Sequence, residues 1–118
     1  MVGFSVARIG TSWEAPNGRV TSAAMTDLCS PLTLRGVTFR NRIGVSPMCQ
    51  YCCGEDGRPT DWHLAHLVSR AIGGPGMVMT EASAVTPEGR ISPGDVGLWE
   101  EAQVASHARI TAAVARLV

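Results

Sequence analysis

The sequence predicts an α/β fold with parallel strands covered by helices, the front part of a larger repeating β/α protein. Three observations predict it. Short apolar runs alternate with segments of helical period. The runs at 43–46 and 77–82 lie about 30 residues apart, the size of a βαβ unit. Strands so connected must run parallel and be covered by helices. Two alone leave open edges, so more of the same architecture is expected around them.

The 118 residues suit one domain or part of one, and 45% hydrophobic content is that of a globular chain. A net charge of +0 lacks the basic footprint of a nucleic-acid binder. No apolar run approaches a bilayer span, so no membrane is expected. Residues 1–24 are Ser/Thr/Gly-rich with few acids and without an apolar signal core. They are expected to be a disordered tail, or to precede a natural start at Met25; a transit peptide is the weaker alternative. Residues 25–118 form the folded part. The four cysteines, Cys29, Cys49, Cys52 and Cys53, follow no secretory signal, which points to reduced thiols in the cytoplasm.

The elements follow in order. Residues 32–41, LTLRGVTFRN, alternate about Gly36 and predict a hairpin with Leu32, Leu34, Val37 and Phe39 as its apolar members. Residues 43–46 alternate little and predict a short strand buried on both faces. Residues 52–60 form a loop punctuated by Gly54, Gly57 and Pro59. Residues 61–72, DWHLAHLVSRAI, place Leu64, Leu67, Val68, Ala71 and Ile72 on one helical face. Thr60 or Asp61 caps that helix, and Gly73 suits a left-handed stop. A second buried strand spans 77–82, and a Gly/Pro-rich loop spans 83–98. A second helix starts near Glu100, with Val104, Ala108, Thr111, Val114 and Val118 as its apolar face.

Ligands of parallel β/α folds bind at the carboxyl ends of strands. Those ends read SPMCQY and EASA. Pro47 removes a backbone donor, Cys49 offers a polarizable thiol, and Tyr51 offers an aromatic face with a hydroxyl. Such groups could line a flat heterocycle; the alternative is a turn packed under a helix. Glu81 closes the second strand, where a carboxylate must be paired. A general base is one role for it; an anchor with Arg42 or Arg70 as partner is preferred. Asp95 and Arg90 are expected to be solvated. Cys49, Cys52, His63 and His66 read C-x2-C-x10-H-x2-H. A zinc finger wants about twelve residues between the pairs and three to five between the histidines, so no metal site is expected. The histidines are expected to be solvated or packed helix residues.

The stretches LTLRGVTFRNRIGVSPMCQY and DWHLAHLVSRAIGGPGMVMTEASAVTPEGRISPGDVGLW resemble the amino-terminal part of the Old Yellow Enzyme family, over about residues 28–118. These are FMN-dependent ene-reductases, or NADH:flavin oxidoreductases, and the likeness is to the subgroup with a cysteine beside the flavin. The resemblance implies a TIM (β/α)8 barrel, of which this chain supplies the bottom hairpin and about two β/α units. It implies FMN as cofactor, with NAD(P)H as reductant. Hydride would pass through FMN to an activated alkene, an enone, enal or nitroalkene. Ser46, Pro47, Met48 and Cys49 resemble the first flavin-contacting segment. Ala82 resembles the small residue that lets the backbone approach the ring, and Tyr51 resembles the tyrosine that faces substrate. The family's carbonyl-binding donors and proton-donating tyrosine lie on later strands, so no catalytic residue is expected within these 118 residues. The implied partner is a small α,β-unsaturated molecule, and the complete protein could form a homo-oligomer. Cys52 and Cys53 stand where the family usually has small polar residues, and exposure to oxidation is the expected consequence. The alternatives are an inactive fragment or a small Cys/His metal-binding module.

Overall fold

The computed structural model describes residues 27–118; the expected tail over residues 1–24 and the start at Met25 lie outside the described residues. Strands β1 (Leu32–Leu34) and β2 (Val37–Phe39) form the expected antiparallel hairpin, with Leu32 opposite Phe39 and Leu34 opposite Val37. Arg35 and Gly36 turn it with φ of 46° and 85°. Two consecutive left-handed residues match the twist of the flanking strands, and glycine is the residue that adopts this at no steric cost. Leu34 and Val37 are exposed at the turn, while Leu32 and Phe39 are half-buried at the open end.

Strand β3 (Gly44–Val45) pairs in parallel with β4 (Met77–Val78), and α1 (Asp61–Ile72) makes the crossover. Asn41 pins the amino ends of both strands. Its Oδ1 accepts from the Ile43 amide at 3.0 Å and the Gly76 amide at 2.7 Å, and its Nδ2 donates to the Gly74 carbonyl at 2.8 Å. The left-handed stop of α1 falls one residue later than expected. Gly73 stays helical at φ −65°, because its amide still bonds to Arg70, and Gly74 turns at φ +84°.

Three further expectations are corrected. The second strand stops at Val78 instead of Ala82. Residues placed in a loop form β5 (Ser83–Ala84) and β6 (Val96–Gly97), a parallel pair joined by a 3-10 turn over Pro87–Gly89. A two-residue strand has no periodicity to detect; it exists because a distant partner meets it. The strand at 43–46 is not buried on both faces, since Gly44 is exposed and Val45 half-buried.

Helix α2 (Glu101–Val114) presents a different face than its apolar residues suggest. Gln103 and Ile110 are buried, whereas Val104, Ala108 and Thr111 are exposed. In α1, Leu67 and Ala71 are buried as expected, but Ile72 is exposed and His63 takes the central position. Leu67, Ala71, Val96 and Ile110 form the apolar core among the described residues. Fully burying a side chain the size of Leu67 stabilises by about 1.5–3 kcal/mol.

Candidate functional site

The parallel pairing of β3 with β4 sends residues 46–51 and 79–82 out of the same sheet edge. Ser46, Pro47, Met48 and Ala82 are exposed there, Cys49 is half-buried, and Tyr51 is 60% exposed. The two segments are joined directly: the Gln50 amide donates to Glu81 Oε2 at 3.0 Å. All six predicted site residues therefore belong to one linked pair of strand ends.

Tyr51 has φ of +53°, a left-handed conformation that few non-glycine residues adopt. Its neighbours are tethered on both sides. Gln50 Nε2 donates to the Met48 carbonyl at 2.8 Å, and Gln50 Oε1 accepts from Trp62 Nε1 at 2.9 Å. After Tyr51, the Cys53 amide donates to the Gly94 carbonyl at 3.0 Å. Nothing in residue type marked Gln50, Trp62 or Gly94 for this role; only the folded arrangement brings them to Tyr51.

Glu81 is an anchor, but not through arginine. Its Oε1 lies 3.1 Å from His63 Nε2, with both side chains buried. Arg42 instead donates to Ser30 Oγ and Arg70 to Ser69 Oγ. Asp95, expected to be solvated, is 2% exposed and accepts from the Ile91 and Ser92 amides at 2.8 and 3.0 Å. Arg90 is held by the Pro93 carbonyl at 2.9 Å and lies 5.3 Å from the Trp99 ring centre, within cation–π range.

The Cys52 and Cys53 thiols each lie 3.7 Å from His63 Nε2 and are half-buried, more protected than expected. Burial first, and the Glu81 carboxylate second, push the Cys53 thiol up to about 12, so it stays protonated and weakly nucleophilic. Among the described residues no group of three or more His, Cys, Asp or Glu side chains could hold a metal ion. Nor is any helix among them long and apolar enough to cross a membrane.

Burial holds the His63 imidazole below its ordinary 6.5, against the opposing pull of Glu81. The hydrogen bonds agree, since the Thr60 amide donates to His63 Nδ1 at 2.8 Å and requires that nitrogen unprotonated. Burial also lowers His66, with Arg70 adding to it. Below 6.5 the unfolded chain then binds more protons than the folded one, so stability falls as pH drops. The thermal midpoint is expected to decrease as pH is lowered from about 7 to about 5, and His63→Gln to flatten that slope. A midpoint that rises or stays level in the unsubstituted chain contradicts this assignment.

The NADH:flavin oxidoreductase / NADH oxidase family matches residues 27–116. An NADH:flavin oxidoreductase of Gibberella zeae is 50% identical over 98 residues, covering 83% of this chain and 23% of that protein. The NADPH dehydrogenase of Bacillus subtilis is 46% identical over 85 residues, covering 71% of this chain and 25% of that protein. Among solved structures, a variant of NCR from Zymomonas mobilis superposes with a TM-score of 0.71 at 30% identity, covering 79% of this chain and 30% of that one. Morphinone reductase superposes with a TM-score of 0.70 at 26% identity, covering 81% of this chain and 25% of that one. The chain thus spans about a quarter of the length of the curated relatives it matches. Its strands and helices are part of the TIM-barrel fold of these neighbours, without a closed barrel among the described residues.

Proposed function

The chain belongs to the NADH:flavin oxidoreductase / NADH oxidase family, and on that premise we propose that it supplies part of the flavin site of an FMN-dependent oxidoreductase. The observation that supports this most is the shared edge, where the ends of β3 and β4 emerge side by side and the Gln50–Glu81 hydrogen bond joins them. The groups at that edge suit a flat, polarizable heterocycle. Pro47 and Met48 offer exposed apolar surface, Cys49 a soft thiol, and Ala82 a side chain too short to obstruct a ring.

Ser46, Pro47, Met48 and Cys49 are the residues that would hold FMN along one edge, with Ala82 allowing close approach. Bound FMN would supply hydride transfer from NAD(P)H to an alkene conjugated to a carbonyl or nitro group. Cys49 acts as a weak donor that tunes the electronics of what it touches; a thiol donates less strongly than a hydroxyl. Tyr51 presents its ring and hydroxyl to a small α,β-unsaturated molecule. The donors that bind the substrate's carbonyl oxygen, where negative charge develops, come from outside these residues. The cysteine-bearing subgroup and a cytoplasmic setting complete the proposal.

Flavin fluorescence tests it. Purified chain titrated into FMN is expected to quench the emission saturably. Ala82→Trp, which fills the space beside the platform, is expected to weaken binding at least about tenfold. Absence of saturable quenching, or equal affinity in Ala82→Trp, sinks the proposal.

A further inference from the structure

Tyr51 adopts its left-handed conformation without the freedom of glycine, a strain that a residue with a Cβ carries there. Such a residue persists only where its surroundings over-determine it. The tether on its amino side is unusual. It is a buried carboxylate, a group that is costly to place out of water. An apolar side chain would have packed there with less penalty, so the carboxylate calls for an explanation.

The hydrogen bonds supply one. The Thr60 amide, at the cap of α1, donates to His63 Nδ1 at 2.8 Å, and Thr60 Oγ1 lies 3.0 Å from the same nitrogen. The ring proton therefore sits on Nε2, facing Glu81 Oε1 at 3.1 Å. With Oε1 committed to His63, Oε2 is left for the Gln50 amide at 3.0 Å. Each carboxylate oxygen has one donor, and each donor comes from a different element. The cap of α1 selects the tautomer, the tautomer orients the carboxylate, and the carboxylate fixes the residue before Tyr51.

We infer that the buried His63–Glu81 pair is the positioning device of the Gln50–Tyr51 turn, setting where the Tyr51 ring stands on the platform. Both residues are buried and reach Tyr51 through the Gln50 amide. The inference rests on the proposal that Tyr51 faces substrate only for its purpose, and its geometry can be tested with no flavin present.

The chain contains a single tyrosine, so isotope-labelled tyrosine gives one backbone signal that reports Tyr51 alone. Glu81→Gln retains volume but turns an amide N–H₂ toward one of two donors. It is expected to move the Tyr51 Cα and amide shifts out of the left-handed range. It is also expected to speed exchange of the Gln50 amide at least about tenfold. Leu67→Ala, on the same helix, is expected to lower the thermal midpoint and leave the Tyr51 signal in place. Unchanged Tyr51 shifts in a folded Glu81→Gln chain overturn the inference, and so does an equal displacement in Leu67→Ala, which marks a merely structural role. Should Glu81→Gln fail to fold, the unsubstituted chain still decides. The ring-nitrogen shifts of His63 near neutral pH are expected to show a protonated Nε2 and a bare Nδ1, and the opposite tautomer breaks the relay. Because these measurements use no flavin, a positioned Tyr51 together with absent FMN binding would count against the proposed function and leave the pair standing.

Discussion

Gly94→Ala is expected to destabilise the chain by about 2–4 kcal/mol, combining overpacking of roughly 1–3 kcal/mol with a weakened hydrogen bond of about 1 kcal/mol. A Cβ at Gly94 would stand 2.6 Å from the Tyr51 carbonyl oxygen and 2.8 Å from its carbonyl carbon. These are backbone atoms, so no side-chain rotation relieves the clash. The loop or the Tyr51 turn must move, and either movement strains the Cys53 amide to Gly94 carbonyl bond of 3.0 Å. The need for glycine here is one of space, since its φ lies outside the left-handed region. Urea denaturation measures the loss, and the Tyr51 backbone signal shows whether the turn is what moves. A change below about 0.5 kcal/mol, the usual range for surface substitutions, contradicts the close approach.

Gln103→Ala is expected to cost about 3 kcal/mol or more. The Gln103 side chain is completely buried. Its Oε1 accepts from the Trp99 amide at 2.7 Å and the Glu100 amide at 3.2 Å, and its Nε2 donates to the Asp56 carbonyl at 2.8 Å. Removing it breaks three part-buried hydrogen bonds, each worth about 0.5–1.5 kcal/mol, and the emptied space adds to the loss. It also unties the 54–59 loop from the start of α2. Gln103→Met separates polarity from volume: it fills the space but restores no hydrogen bond, so it is expected to be nearly as destabilising as alanine. A stable methionine variant shows that packing, not hydrogen bonding, explains the burial.

Gln103 and His63 share a design that links the two helices. Each is the third residue of its helix, and each turns back to accept from the cap residue's amide, Glu100 in one case and Thr60 in the other. A capping box normally faces solvent and satisfies only the helix end. Here each side chain goes on to a second partner on another segment, Asp56 for Gln103 and Glu81 for His63. The helix starts therefore fix the loops around the platform as well as themselves.

Several features were legible in residue order because their causes are local. Alternation about Gly36 gives a hairpin, since a two-residue left-handed turn needs only its own residues. The period of Leu64, Leu67 and Ala71 gives α1, and the Gly/Pro loops bound both helices. The SPMCQY strand end is marked by a proline and by chemistry placed just past an apolar run, whereas EASA reads as a strand end but lies past Val78 and gives its last two residues to β5. The family likeness rests on those same stretches, and the match over residues 27–116 agrees with it.

What tertiary structure alone decided involves partners far apart in the chain. Strands β5 and β6 exist because Ser83 meets Val96 and Ala84 meets Gly97. The face of α2 turned inward follows Gln103, whose buried hydrogen bonds outweigh the modest gain from burying Val104 and Ala108 instead. Glu81 pairs with His63 rather than Arg42 or Arg70 because the crossover brings the first turn of α1, which carries His63, to the segment after β4, while Arg70 lies in the helix's last turn. Residue type and spacing determine where a backbone can turn or coil, since those energies involve near neighbours. Which polar groups are buried together depends on where distant segments meet, because a buried donor or acceptor takes whatever partner the fold brings within about 3 Å.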